Sequence, residues 1–125
     1  MDCLKYAYEN DCEWDVDDLC YCVSLNGHLD CLKYAHENGC HWNEYVCRNA
    51  AENGHLDCLQ YAHENDCPWD EDTCKCAAYD GHLECLKYAY ENDCPLNINK
   101  CMMHAFTRGH YECAMYILNY AMKHT

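Results

Sequence analysis

Cysteine is the residue type in this sequence that could do the most chemistry, and it occurs 15 times among 125 residues. Thiols can bridge as disulfides, bind soft metal ions, or fill a core as small apolar side chains. Two C-x-C pairs, Cys20/Cys22 and Cys74/Cys76, are the best candidates for a metal or redox centre. A structural zinc site needs four converging ligands, whereas helix positions i and i+2 point apart.

The cysteines recur in three registers, which indicates a structural origin. The first register holds Cys3, Cys31, Cys58, Cys85 and Cys113; the second holds Cys12, Cys40, Cys67 and Cys94; the third holds Cys20, Cys47, Cys74 and Cys101. Packed helices lie ~8–10 Å apart, but bridged Cα atoms lie ~4.4–6.8 Å apart. Equivalent cysteines of neighbouring repeats are therefore too far apart to bridge. We predict core packing, and bridges between registers, such as Cys40 with Cys47 or Cys74, stay open.

No other residue type forms a catalytic constellation. Four histidines each follow a glycine, which indicates a role in a turn or helix start: His28, His55, His82 and His110. His36 and His63 share a register with Tyr8 and Tyr90, which favours a flat ring packed between repeats. A repeat supplies the same group at every rung, whereas catalysis needs a unique set of groups. We predict that the chain is not an enzyme and needs no metal or cofactor.

A row of large side chains marks the segments between the repeats: Trp14, Trp42, Trp69 and, in the same place, Leu96. The favoured interpretation is that they cover the ends of the helical layers. The alternative is that they anchor a partner, because tryptophan is enriched at binding hot spots.

The charge balance restricts the partners. With 8 basic and 22 acidic residues, the net charge is 8 − 22 = −14. This argues against nucleic acid and anionic membrane surfaces, which need a basic footprint. The sequence has neither an apolar run of ~20 residues nor the basic and apolar N-terminal pattern of a secretory signal. We therefore predict a cytoplasmic location.

Internal repetition sets the architecture. Glycines at 27, 54, 81 and 109 each open a copy of one segment, and a truncated copy starts the chain. A fixed period between 20 and 50 residues is typical of solenoids. We predict a single repeat domain, 1–125, with these parts: a partial repeat 1–26, full repeats 27–53, 54–80 and 81–108, and a capping partial repeat 109–125.

Each unit contains two helical patterns. Leu29, Leu32 and Ala35 fall on one face of a helix, and Asn38-Gly39 stops it, because these residues tolerate the left-handed conformation at a helix end. A second, shorter helix starts near Asp70, a capping residue, and ends before Gly81. The sequence therefore predicts an all-α fold of stacked helix-turn-helix repeats.

These residues resemble the ankyrin repeat family. Gly-His-Leu-Asp/Glu-x-Leu-Lys-x-Ala, followed by Glu-Asn-Gly-Cys, is similar to the second helix and exit of that repeat, and Ala50-Ala51 and Ala77-Ala78 stand where its first helix carries paired alanines. The unit is ~27 residues against 33 in ankyrin, so the resemblance implies short or absent β-turn fingers. With its Cys-Pro-Trp-Asp connectors, the sequence is similar to ankyrin-type repeats of giant DNA viruses of amoebae, for which the location would be host-cell cytoplasm.

The resemblance implies a non-catalytic protein–protein interaction module. Positions that differ between repeats are free to specify a partner, and in ankyrins the residues before the turn glycine lie on the binding face. The predicted partner-binding residues are Tyr21, Leu25, Asn26, Arg48, Glu52, Asn53, Lys75, Tyr79, Asp80, Thr107 and Arg108. The partner is predicted to be a protein with a basic patch, and the chain a monomer or part of a longer array. The alternative function is a thiol-rich metal-binding or redox protein.

Overall fold

The structure is a computed structural model that describes the backbone of residues 16–121 and the side chains of residues 19–120. The predictions made for Cys3, Tyr8, Cys12 and Trp14 lie outside the described residues.

Eight α-helices follow one another in the described part of the chain, and they form four antiparallel pairs. The first helices of the pairs are α1 (Val16–Asn26), α3 (Glu44–Glu52), α5 (Glu71–Tyr79) and α7 (Ile98–Thr107). The second helices are α2 (Leu29–Glu37), α4 (Leu56–Glu64), α6 (Leu83–Glu91) and α8 (Tyr111–Tyr116), which continues as a π-helical segment, Ile117–Ala121. Each first helix packs on the first helix of the next pair, and the second helices contact each other less extensively.

Short polar side chains start the first helices, as predicted near Asp70. The side-chain oxygens of Asn43 and Asp70 accept hydrogen bonds from the N–H groups of Tyr45 and Asp72, both at 3.0 Å. Asn97 caps α7 in a related way, through the N–H of Lys100. These bonds satisfy backbone donors that have no partner inside the helix.

The second helices end in one repeated turn. Gly39, Asp66 and Asp93 have positive φ angles of 87°, 66° and 68°, the left-handed conformation predicted for the Asn-Gly and Asn-Asp stops. The following cysteine then donates its N–H back to the helix, for example from Cys67 to the Ala62 carbonyl at 2.9 Å. The segments between repeats contain no strand in residues 16–121, so an all-α solenoid with short connectors is confirmed.

The core consists of leucine, alanine and cysteine side chains. Leu32, Leu59 and Leu86 are fully buried at one position of successive repeats. Small alanines lie beside them and let the helices approach closely: Ala35, Ala50, Ala51, Ala62, Ala77, Ala78, Ala89 and Ala105. No helix in residues 16–121 has the length and apolar composition needed to cross a membrane.

Most of the described cysteines pack in this core, which confirms the favoured prediction, but the cross-register bridge is not one of the two suggested. Cys40 is bonded to Cys20, with their Cα atoms 6.5 Å apart, and Cys22 is also disulfide-bonded. The exit turn after α2 folds back on the first helix of its own pair, so Cys40 meets Cys20 rather than Cys47 or Cys74. Ten cysteines in the described part form no disulfide.

One core position holds a polar residue without a partner. Thr73 is fully buried, and its hydroxyl has no hydrogen-bond partner. The equivalent positions of the preceding repeats hold Val46 and Leu19, both buried. A buried, unpaired hydroxyl costs stability that an apolar group of the same shape recovers.

Thr73→Val is therefore expected to raise the free energy of unfolding by about 1 kcal/mol, measured by urea denaturation. Val46→Thr is the matched reverse substitution and should lower it by a similar amount. If Thr73→Val destabilised the chain, its hydroxyl would have a role in the fold that this packing does not include.

Candidate functional site

A polar groove lies along the first helices, between the side chains of α3, α5 and α7. It encloses about 410 Å³. Its lining residues, most of them charged, are Arg48 and Glu52 of α3, Asp72, Lys75, Cys76 and Tyr79 of α5, Asp80 after α5, and His104 of α7. Both signs of charge are present, so the groove is suited to polar recognition rather than to an apolar ligand.

The basic residues of the groove are held only loosely. Lys75 Nζ lies 3.6 Å from an oxygen of Asp72, and both side chains are more than one-third exposed. A pair of this kind contributes little to stability. The Arg48 guanidinium lies 5.2 Å from the centre of the Tyr45 ring, and its Nε has no hydrogen-bond partner. The Arg48 Nε is buried, whereas Lys75 Nζ keeps donors available for a partner.

The Tyr79 ring in the groove is held by contacts on two sides. Arg108 donates a hydrogen bond from Nη1 to the Tyr79 hydroxyl at 2.9 Å, and its guanidinium lies 4.3 Å from the ring centre. The His104 ring packs edge-on against the same tyrosine, with ring centres 5.5 Å apart. Contacts on two sides fix the ring, which reduces the entropy lost when a partner binds.

The groove brings together five of the predicted partner-binding residues: Arg48, Glu52, Lys75, Tyr79 and Asp80. Arg108 joins them through its contacts with Tyr79. Tyr21 and Leu25 both lie in α1, outside the groove lining. The Leu25 carbonyl instead lies 3.1 Å from His55 Nε2, so its backbone takes part in stacking between repeats.

Three other predicted residues make hydrogen bonds within their own helices. The side chains of Asn26, Asn53 and Thr107 each donate to the carbonyl four residues earlier, at 2.9, 2.9 and 2.7 Å. These bonds help to close the helix ends. The three residues do not belong to the groove lining.

Sequence reasoning missed three lining residues, namely Asp72, Cys76 and His104. Asp72 lies in the first turn of α5, where an acid is typical of a helix start, and Cys76 fits a core residue or one half of a C-x-C pair. The available signal was the helical spacing, because Asp72, Cys76 and Tyr79 fall on one face of α5. His104 belongs to the next repeat, where the extra residue before Gly109 shifts the register.

The two described tryptophans, Trp42 and Trp69, join neighbouring repeats through ring contacts. Trp69 is partly buried and stacks on His63, with ring centres 3.8 Å apart, and it meets the edge of Tyr88 from the next repeat at 6.2 Å. Trp42 makes the same contacts with His36 and Tyr61. The prediction that the His36 and His63 rings pack between repeats is confirmed, and the anchor role of the tryptophans stays a prediction.

A second surface lies at the end of the described stack. Met103, Phe106, Met115 and Leu118 are exposed side chains of α7, α8 and the π-helical segment. In the preceding pairs, the corresponding side is covered by the next pair of helices. The exposed apolar side chains therefore mark the face on which a solenoid would stack its next unit.

Metal chemistry finds no support in the described residues. No three His, Cys, Asp or Glu side chains within residues 16–121 come together in a metal-binding arrangement. The C-x-C pair Cys74/Cys76 diverges, since Cys74 is fully buried and Cys76 lines the groove.

Cys76 provides a chemical handle on the groove. It is the free cysteine with partial exposure in the described part of the chain. Burial raises the pKa of its thiol, followed by the effect of Glu52. The pKa of the Cys74 thiol is raised too, first by a hydrogen bond with Cys94 and then by burial. The two residues therefore differ in access and in the thiol partner that Cys74 has and Cys76 lacks.

We expect a maleimide to label Cys76 in the folded, reduced protein at least about tenfold faster than Cys74. Peptide mapping after brief labelling measures both rates in one sample, and Cys74 serves as the internal control. Equal rates for the two cysteines would contradict the burial of Cys74 and the position of the groove.

Comparison with known families agrees with this geometry. A family model described as "Ankyrin repeats (3 copies)" matches residues 48–125, more than half of the chain. A second, described as "Ankyrin repeats (many copies)", matches residues 19–63. No curated protein sequence matches the chain.

Proposed function

Because the chain belongs to the ankyrin repeat family, we propose that it is a non-catalytic protein–protein interaction module. Its partner binds in the groove lined by α3, α5 and α7. Repeats of this kind stack into an array whose surface residues vary without disturbing the core.

One observation carries this proposal, which is that the repeats share their core but differ in the groove. Three buried positions of α3 and α5 carry the same residue, with Cys47 matching Cys74, Ala50 matching Ala77 and Ala51 matching Ala78. The groove positions differ, because Glu52 stands where the next repeat has Tyr79. A surface that changes from repeat to repeat on a constant scaffold can specify one partner.

The composition of the groove indicates the chemistry of that partner. Glu52, Asp72 and Asp80 offer carboxylates, and Tyr79 offers a fixed aromatic ring. With a net charge of −14, the chain attracts basic partners over a distance, which speeds association. We therefore propose a protein ligand with a basic segment and at least one acidic group that meets Arg48 or Lys75.

The domain organisation, location and oligomeric state that we propose are those predicted from the sequence. The domain comprises a partial repeat 1–26, three full repeats 27–53, 54–80 and 81–108, and a capping repeat 109–125. The chain acts in the cytoplasm, as a monomer or as part of a longer array. The similarity of its short, cysteine-rich unit to repeats of giant DNA viruses of amoebae stays a prediction and places it in the cytoplasm of an infected host cell.

Two matched variants test the proposal. The groove variant carries Arg48→Ala and Tyr79→Ala, and the control variant carries Lys33→Ala and Tyr34→Ala on the exposed side of α2. Wild type and both variants are used to capture proteins from the cells in which the chain is made, with quantification by mass spectrometry. A specific partner should bind the groove variant at least about tenfold more weakly and the control variant normally.

The melting temperatures decide whether a loss is local. Tyr79 contacts Arg108 and His104, so the groove variant should lose only about 1 kcal/mol of stability and remain folded. A partner that was lost with the control variant and kept by the groove variant would overturn the proposed binding face.

A further inference from the structure

Three cysteine pairs occupy the same place in three successive helix pairs. In each pair, one cysteine lies in the first helix and the other follows the second helix, 20 residues later. The pairs are Cys20/Cys40, Cys47/Cys67 and Cys74/Cys94. The first of these pairs is a disulfide, and its Cα separation of 6.5 Å lies within the range that a disulfide spans.

The chain folds back in the same way at all three exits. The N–H groups of Cys40, Cys67 and Cys94 each donate to the carbonyl five residues earlier, at 3.1, 2.9 and 2.9 Å. This turn lays the exit cysteine against the beginning of the first helix of its own pair. Cys67 Sγ lies 3.4 Å from the Asn43 carbonyl oxygen, and Cys94 Sγ lies 3.2 Å from that of Asp70.

The two cysteines of the second pair are in contact, because Cys47 Sγ lies 4.0 Å from the Cys67 carbonyl oxygen. A hydrogen bond with Cys67 is the largest cause that raises the pKa of the Cys47 thiol, and Cys94 acts in the same way on the pKa of Cys74. The cysteines of the second-helix register are placed differently. For Cys58, Cys85 and Cys113, burial and nearby carboxylates raise the pKa, and no other thiol takes part.

We propose that Cys47/Cys67 and Cys74/Cys94 are redox-active dithiols that oxidise to disulfides equivalent to Cys20–Cys40. The array then carries a ladder of three bridges, one inside each helix pair. Since each bridge joins a first helix to the exit of its own second helix, oxidation locks the individual helix pairs and leaves the contacts between pairs unchanged.

The oxidant is a small-molecule disulfide such as oxidised glutathione. The thiolate of the exit cysteine, Cys67 or Cys94, attacks one glutathione sulfur, and the glutathione S–S bond breaks to release the first glutathione. The thiolate of Cys47 or Cys74 then attacks the exit sulfur of the mixed disulfide and releases the second. The two cysteines lose two electrons and two protons in total, and two molecules of reduced glutathione carry both away.

The order of attack follows from burial. Cys67 and Cys94 are 3 % and 4 % exposed, whereas their first-helix partners are fully buried. The raised pKa values of Cys47 and Cys74 keep these two thiols protonated, and only the thiolate exchanges. We therefore expect slow oxidation that starts at the exit cysteines.

The test is a peptide map of the full chain after equilibration with mixtures of oxidised and reduced glutathione. Acid quenching, alkylation of free thiols and proteolysis precede mass spectrometry. The expected products are peptides linked Cys47–Cys67 and Cys74–Cys94, and an intact mass that falls by about 2 Da per bridge. The proposal is overturned if these four cysteines are all alkylated under conditions in which Cys20–Cys40 forms, or if Cys74 links to Cys101 instead.

Single variants distinguish the two proposed disulfides. Cys67→Ser should abolish the Cys47–Cys67 link and retain the Cys74–Cys94 link, and Cys94→Ser should do the reverse. Cys85→Ser is the matched control, because it removes an equally buried thiol that has no thiol partner, and it should retain both links.

A second readout does not depend on the links themselves. Oxidation should raise the thermal midpoint of the wild type by several degrees, roughly 5–10 °C, and the rise should be smaller in Cys67→Ser and Cys94→Ser than in Cys85→Ser. An equal rise in all three variants would show that the paired cysteines do not respond to oxidation. The wild-type peptide map remains decisive if one variant fails to fold.

Discussion

Gly54→Ala is expected to lower the free energy of unfolding by about 3 kcal/mol. Gly54 adopts a φ angle of +74° in the turn between α3 and α4, a conformation that costs an alanine ~1–2 kcal/mol. A Cβ at this position would also lie 2.6 Å from Nδ1 of His82 in the next repeat. The histidine ring packs directly on the glycine, so the added methyl group has no room.

The ring cannot move aside freely, because it forms part of the stack. The same relation recurs between Gly27 and His55 and between Gly81 and His110. In the first of these, the ring is held by a contact of 3.1 Å between His55 Nε2 and the Leu25 carbonyl oxygen. The glycine therefore serves two purposes, a left-handed turn in its own repeat and a close contact with the next one.

Gly109→Ala is the matched control for this prediction. Gly109 has a similar φ angle of +81°, but a Cβ there would meet nothing within 4 Å. It should lose only about 1–2 kcal/mol. Urea denaturation measures both variants, and the double variant Gly54→Ala/His82→Ala should lose less than the two single losses added together. Equal losses for Gly54→Ala and Gly109→Ala would mean that the histidine ring makes no difference.

Raising the pH from about 8 to about 10 under reducing conditions is expected to lower the free energy of unfolding by about 5 kcal/mol. Burial raises the pKa of the Cys58 thiol from 9.0 to about 12 and that of Cys85, Cys101 and Cys113 to about 11. The unfolded chain loses these protons above pH 9.0, whereas the folded chain keeps them. The stability is therefore complete below the unfolded pKa and is lost as the pH rises towards the folded values.

The size of the effect comes from the number of thiols. Each thiol contributes about 1.4 kcal/mol at about pH 10 if it ionises only after unfolding. The pKa values of Cys47 and Cys74 are raised in the same direction. Tyr116 affects the stability at higher pH than the thiols, because burial and Glu91 raise its pKa from 10.0 to about 12.

A double variant isolates the thiols from other alkaline effects. Cys58→Val/Cys85→Val removes two of these thiols and should reduce the loss of stability between about pH 8 and about pH 10 by about 3 kcal/mol. The measurement is the urea midpoint at each pH, with a phosphine reductant that keeps every cysteine reduced. An unchanged slope in the variant would rule out thiol burial as the cause.

The fold was readable from the sequence because local rules repeat in it. Gly39 and the Asn-Asp stops end the second helices through backbone conformation, and the Asp70 side chain caps a helix by accepting a hydrogen bond from the N–H two residues later. Each signal acts within a few residues and recurs every 27 residues. The recurrence makes it improbable that the signal arises by chance.

The groove was only partly readable because it depends on how helices face each other. Tyr79 and Lys75 were predicted from their variation between repeats. Cys76 was missed because a cysteine in a cysteine-rich core suggests burial, and His104 because its helix belongs to another repeat. The Cys20–Cys40 bond depends on the fold-back of the exit turn, a tertiary feature that spacing alone does not reveal.

The most direct test of the central claim places a photo-crosslinking residue on each face. Benzoylphenylalanine replaces Tyr79 in the groove or Tyr34 on the exposed side of α2, and the chain is irradiated in the cells in which it is made. An ankyrin-repeat module that binds through the groove should give a discrete adduct with another protein from position 79 and none from position 34. An adduct from position 34 alone, or no adduct from either position, would contradict binding in the groove.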